Sequence, residues 1–290
     1  MPMTRRPVAG GPYFGRIANP GDLPHSQLDY YAEPSNWTRL QESDRVAPTI
    51  YVGPLNSLDP LKRLSSGVDA MHEGRYAEAL AAFVWFHNNA LKHQPSLHAV
   101  RLSFALGDWE DLGRQYPPAF KKLRSIRDKK LSAISRGKGD RVLFHEIAAI
   151  NEHLEEEQLT CDVFRDLDQR NPELAKACAS SAHDALVRCG AYELAHRYFS
   201  DAEGAVLRLC EAFNEDMVRY ASTPPPHGPG IRRVWILKYC EQAQMTAAVL
   251  RNVSQQENAM YALLWAVALV ENASIRKKVQ SILATSAVLL

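Results

Sequence analysis

A chain of 290 residues is long enough for one large helical array or two ordinary domains. Apolar residues at 46% and charged residues at 23% are the proportions of a globular protein with a real core. With 34 basic against 33 acidic side chains the net charge is +1, which excludes a global polyelectrolyte role and leaves only local patches open.

The first 59 residues read as an extended arm. Residues 1–60 hold nine of the 17 prolines and five of the 15 glycines. Proline lacks an amide donor and fixes φ, so no continuous helix or central strand fits this density. Tyr13, Phe14, Tyr30, Tyr31, Trp37 and Tyr51 interrupt the segment, and aromatic rings in an extended arm have somewhere to dock. The arm is expected to lie on the helical body or on a second subunit, where it would build a homodimer. The two arginines near the start are followed by no apolar run, so a secretory signal is not expected.

From Pro60 onward the periodicity is helical. Ala79, Phe83, Phe86 and Ala90 recur at helical spacing, as do Leu143, Ile147, Ile150 and Leu154. Further stripes run through Ala175, Cys178, Ala182, Ala185 and Cys189, then Ala259, Leu263, Ala266 and Val270. Breaks fall at Gly107, Pro117-Pro118, Gly137 to Asp140, Asn171-Pro172, Gly190 and Pro224 to Gly230. The fold class expected is all-α, with helical repeats over 60–223 and helices over 224–290 completing or capping the array. The most apolar stretch, Ala259 to Val270, is too short to cross a bilayer and is expected to be a buried helix. The protein is read as soluble and cytoplasmic.

After residue 60 a turn of the form Gly-x-aromatic occurs three times: GRYAEAL at Gly74, GDWEDL at Gly107 and GAYELA at Gly190. Gly67 lies seven residues before the first, and Ala79 and Phe83 follow it. This resembles the tetratricopeptide repeat (TPR), in which two antiparallel helices meet at such a turn. The resemblance covers residues 61–116 and 172–203. It departs from the pattern in a first repeat one helical turn too long, in Leu112 where alanine is expected, and in Pro117-Pro118, which cuts the second repeat short. What it implies is an α-solenoid of antiparallel helix pairs that binds a protein partner in a groove lined by the first helix of each pair. In the first repeat the groove positions are Leu64, Val68, Met71 and His72. In the second they are Leu97, His98, Arg101 and Phe104; in the third, Ser181, Asp184 and Arg188. The Lys/Asn set with which some members clamp a C-terminal carboxylate is missing, so an internal segment, a globular partner or the arm itself is expected there.

Catalytic signals are absent from the sequence. GKGD at Gly137 is no phosphate loop, His145-Glu146 lacks the second histidine of a zinc helix, and His87, His93 and His98 do not share one helical face. They are read as ordinary, partly exposed histidines. Cys161, Cys178, Cys189, Cys210 and Cys240 are spaced for neither disulfides nor zinc and are read as packed thiols. No enzyme, metal or cofactor is expected. Residues 121–141 carry nine basic side chains against two acidic; Lys121, Lys122, Arg124, Arg127, Lys129 and Lys130 form its densest part. Residues 152–173 reverse the balance with eight acidic against two basic. Three readings follow: complementary faces of neighbouring helices, a site for an acidic partner, or a phosphate-gripping surface for nucleic acid. Protein binding leads, and nucleic-acid binding through 121–141 is the alternative.

Overall fold

The computed structural model describes residues 58–221 and 227–288; the proline-rich arm, with its six aromatics, lies outside the described residues. Among the described residues the regular structure is helical throughout, with no strand. Asp59 starts the body: its Oδ1 accepts from the amides of Leu61 and Lys62 at 3.0 and 3.2 Å, and Pro60 opens helix α1 (Pro60–His72) with φ already set. Gly74 ends it in the left-handed region, at φ +76°. Its amide donates to Met71 O, and that of Arg75 to Ala70 O at 2.8 Å, which satisfies the last carbonyls and turns the chain. Helix α2 (Tyr76–His93) then folds back along α1. The approach is close because Gly67 has no side chain; a Cβ there would stand 2.7 Å from Cε1 of Phe83.

Gly190 repeats this geometry at φ +70°, with Ala191 N donating to Leu186 O at 2.8 Å between α8 (Pro172–Arg188) and α9 (Tyr192–Tyr198). Gly107 does not. A 3-10 turn (Pro95–Leu97) leads into the short α3 (His98–Leu102), and the chain breaks at Ser103 before α4 (Phe104–Gln115). Gly107 sits inside α4, its amide bonded to Ser103 O at 2.9 Å. The break moves to Ser103 because Leu106, Trp109 and Leu112 must point into the core from one continuous helix. Pro117-Pro118 then starts α5 (Pro117–Ser135) at its permitted first positions, and Trp109 Nε1 donates to Ala119 O at 3.0 Å, pinning α5 to α4.

Two further turns were hidden from a search for glycine. Between α6 (Arg141–His153) and α7 (Glu157–Arg170), Glu155 takes φ +56° and Glu156 N donates to Asn151 O at 2.8 Å. Between α11 (His227–Asn252) and α12 (Gln256–Ala268), Ser254 takes φ +63° and Gln255 N donates to Leu250 O at 2.8 Å. Both copy the hydrogen bonds of the Gly74 turn with a residue that pays steric strain for it. Glu155 stands 35 residues before Gly190.

Helices α10 (Ala202–Ala221) and α13 (Ala273–Val288) complete the described chain. Packing links α1 to α4, α4 to α6, α6 to α8, α8 to α11 and α11 to α13; alongside run the hairpins α1–α2, α4–α5, α6–α7, α8–α9 and α11–α12. The cores follow one another in the same order. Phe83, Phe86, Trp109 and Leu123 fill the first with Ile150; Phe144, Phe164, Cys178 and Leu186 the second; Phe213, Tyr239, Ala266 and Val279 the third. α6 contributes to the first two, and α11 to the last two through Met245 and Tyr239.

Candidate functional site

A buried polar knot lies where α3, α5 and α6 meet. Arg101, almost wholly buried, donates through Nη2 to Glu146 Oε1, and Lys130 Nζ donates to Glu146 Oε2. Arg101 Nη1 reaches His87 Nε2 and His87 O, each at 3.3 Å. Arginine has no acceptor, so His87 accepts at Nε2 and is the neutral tautomer. Burial, reinforced by the Arg101 and Lys130 charges, pushes its imidazole down to about 3. Its ring meets Trp109 edge-on at 6.1 Å. His87 is therefore a core residue; partial exposure, expected from its sequence context, is replaced by burial because Arg101 offers a polar partner inside. For Glu146, burial works against ionisation, but Lys130 and Arg101 outweigh it and hold the carboxyl below its usual range.

Above this knot a row of partly exposed side chains crosses successive helices. His98 of α3 stacks on His145 of α6, ring centroids 5.8 Å apart and nearly parallel. His145 Nδ1 lies 3.0 Å from Ser181 Oγ on α8. Both imidazoles are held below their usual value, first by burial and then by neighbouring charge: Arg101 for His98, and His98 and Arg141 for His145. Farther along, Asp184 of α8 accepts from Gln242 Nε2 on α11 at 3.1 Å and faces His183 Nδ1 at 3.1 Å. Burial tends to raise the Asp184 carboxyl, yet these hydrogen bonds keep it below the ordinary range. Arg188 closes the row, reaching Glu157 at 3.1 Å, Glu241 at 3.0 Å and Glu152 at 4.0 Å. One end of the row is thus neutral and aromatic, the other charged.

Of the expected groove residues, this row unites His98, Ser181, Asp184 and Arg188, with Arg101 beneath it. Leu64, Met71 and Leu97 are buried in the first core instead, because α1 and the turn before α3 turn those positions onto α2 and α4. Arg101 is buried too, held by Glu146. Val68 and Phe104 are half-buried against the same core, and His72 is exposed at the end of α1. The reading from sequence weighed His145-Glu146 only as an incomplete zinc helix and passed over Gln242 and Glu241. Glu146 did carry a signal: it falls within the apolar stripe of Leu143, Ile147 and Ile150, and a charge on a core-facing stripe needs a buried partner.

Three of the basic side chains are taken up by acidic neighbours. Arg124 Nε donates to Glu156 Oε1 at 2.6 Å; Arg127 binds Asn151 Oδ1 at 2.7 Å, Asp128 at 2.8 Å and also Glu156; Lys130 is taken by Glu146. Lys121, Lys122 and Lys129 remain exposed, with Lys121 and Lys129 lining an open depression on α5 beside Ser125 and Ser132. The basic and the acidic segments meet at Glu156, which takes both Arg124 and Arg127.

His145 and Ser181 form a base–hydroxyl contact, but Ser181 lies inside α8, where backbone amides are committed to carbonyls one turn back and cannot hold an oxyanion. The five cysteines are free thiols, four of them buried; Cys189, expected to be packed, is partly exposed at the end of α8. Burial pushes Cys178 and Cys240 up to about 12, which leaves them protonated and unreactive. Among the described residues no three His, Cys, Asp or Glu side chains are placed to hold a metal ion, and no helix is long and apolar enough to cross a membrane. The chain matches no known protein family, no curated protein and no solved structure.

Proposed function

We propose that the protein is a non-enzymatic, cytoplasmic TPR-like α-solenoid whose work is to bind another protein, as an adaptor, a regulator or an immunity-type binder. The row from His98 through His145, Ser181 and Asp184 to Arg188 carries this reading. It is assembled from α3, α6, α8 and α11, each packed on the next, and this sequence of contacts supports reading the row as a binding groove. The mixture of neutral imidazoles and partly exposed carboxylates suits an internal segment presenting both aromatic and polar groups. Consumption of Arg124, Arg127 and Lys130 in ion pairs weighs against the nucleic-acid alternative.

The test compares two variants of the full chain as bait in lysate of its native host. His98→Ala/Asp184→Ala/Arg188→Ala should lose the proteins that the wild type retains, while Lys121→Glu/Lys122→Glu/Lys129→Glu should keep them. Neither protein should hold a single-stranded oligonucleotide in a manner that collapses between about 50 and about 200 mM salt. The reverse pattern, with the lysine variant alone losing binding and a steep salt dependence, would assign the function to α5.

A further inference from the structure

The segment expected to be a buried helix is α12, and it is only half covered. One side packs through Ala259, Ala262 and Ala266 on α10 and α11. The opposite side carries Met260, Tyr261 and Leu264 at 53, 42 and 54% exposure, followed by Ala268 at the same helical angle. A helix that is apolar around its whole circumference belongs inside a protein. At its C-terminal end the apolar surface continues. Asn214 of α10 donates to Leu269 O at 2.9 Å and accepts from Glu271 N at 3.1 Å, which holds Leu269, 38% exposed, at that end.

We propose that this face is a homodimer interface in which α12 packs antiparallel on α12 of a second copy. The area agrees. With roughly 200 Å² for a large side chain, Met260, Tyr261, Leu264 and Leu269 present on the order of 400 Å² of apolar surface. A standard interface takes about 800 Å² from each partner, of which about 450 Å² is apolar. The charges select a second copy and its direction. No lysine or arginine occurs between Arg251 and Arg276, so cations gather at one end of the face and do not run along it as they do on an interfacial membrane helix. Glu257, hydrogen-bonded by Tyr261 at 3.2 Å, marks the N-terminal end of the face. Arg276, which donates to Val270 O at 2.7 Å, marks the other, followed by Lys277 and Lys278 against the lone Glu271. An antiparallel, twofold pairing sets each acidic end against the partner's basic end and leaves uncharged side chains at the middle. A parallel pairing would oppose like charges.

Sedimentation of the full chain over a range of about 1 to about 100 μM, where weak dimers dissociate and form, reads this directly. The wild type should pass from monomer to dimer. Leu264→Glu, which sets a carboxylate near the twofold axis in both copies, should weaken association by on the order of 100-fold while its helicity and thermal melting at low concentration stay those of the wild type. Leu264→Lys alone should do the same, and an equimolar mixture of the two variants should restore a mixed dimer. A wild type monomeric throughout, or a Leu264→Glu protein that dimerises as well as the wild type, overturns the proposal. So does a dimer lost on removal of residues 1–57 but indifferent to Leu264, since the arm would then be the contact.

Discussion

Replacing Arg101 by Met keeps the volume of a long, flexible side chain and removes the charge that sits against Glu146. Both partners are almost entirely out of water, with side-chain exposures of 4 and 10%. Removing one member of a buried pair costs about 3 to 5 kcal/mol, because the survivor is left charged in an apolar setting. Lys130 still faces Glu146 here, so the low end applies, and Arg101→Met should destabilise by about 3 kcal/mol. The double variant Arg101→Met/Glu146→Met should lose less than the single one: no carboxylate is stranded, and Lys130, only partly buried, can turn to solvent. Denaturant unfolding followed by far-ultraviolet circular dichroism measures both. The pH dependence gives an independent check. Glu146 is held below the ordinary carboxyl value in the folded chain, so its contribution is complete above that value and is lost as pH falls through the lower, folded one. Without Arg101 the folded value rises, and the deficit of the variant should be widest near neutral pH and should shrink toward about pH 4, where the carboxyl is protonated in unfolded chains. A loss under about 0.5 kcal/mol, the scale of an unremarkable surface change, or a deficit that ignores pH, would refute the account of the knot as a buried ion pair.

His87 sets a second pH limb. Its folded value of about 3 lies below the ordinary imidazole value of 6.5, so the unfolded chain takes the proton first. Stability should therefore fall as pH drops from about 6.5 toward 3, by up to about 1.4 kcal/mol per unit; His87→Phe should flatten that stretch in unfolding midpoints taken at a series of pH values. Glycine chemistry separates the turns. Gly74→Val should cost about 1 kcal/mol or more through the backbone alone, since nothing lies within 4 Å of a Cβ there. Glu155→Gly should instead stabilise by about 1 kcal/mol, relieving the left-handed strain for the loss of an exposed ion pair with Arg114 at 3.4 Å. Thermal melts of the two variants moving in the same direction would show that these turns are not equivalent.

The amino-acid sequence by itself determined that this is a helical protein, because a 3.6-residue recurrence of apolar side chains is a local property of the chain. It also determined the turns at Gly74 and Gly190, where a residue without a Cβ marks the left-handed bend. It located His98, Asp184 and Arg188 on helices that the structure brings into one row. Tertiary structure decided the rest. Glu155 and Ser254 occupy the same bend without any sequence sign, since packing on both sides imposes a conformation that their own preferences oppose. Gly107 carries the sign without the bend, because Leu106, Trp109 and Leu112 are buried from one unbroken helix. Charge composition could announce a basic segment but not its fate: Arg124, Arg127 and Lys130 are neutralised by Glu156 and Glu146 from helices that follow later in the chain. Hydropathy likewise called for α12 to be buried, whereas packing covers only its Ala259, Ala262 and Ala266 side. Periodicity is written into consecutive residues, whereas which face meets which partner depends on contacts between residues far apart, and those exist only once the helices have packed.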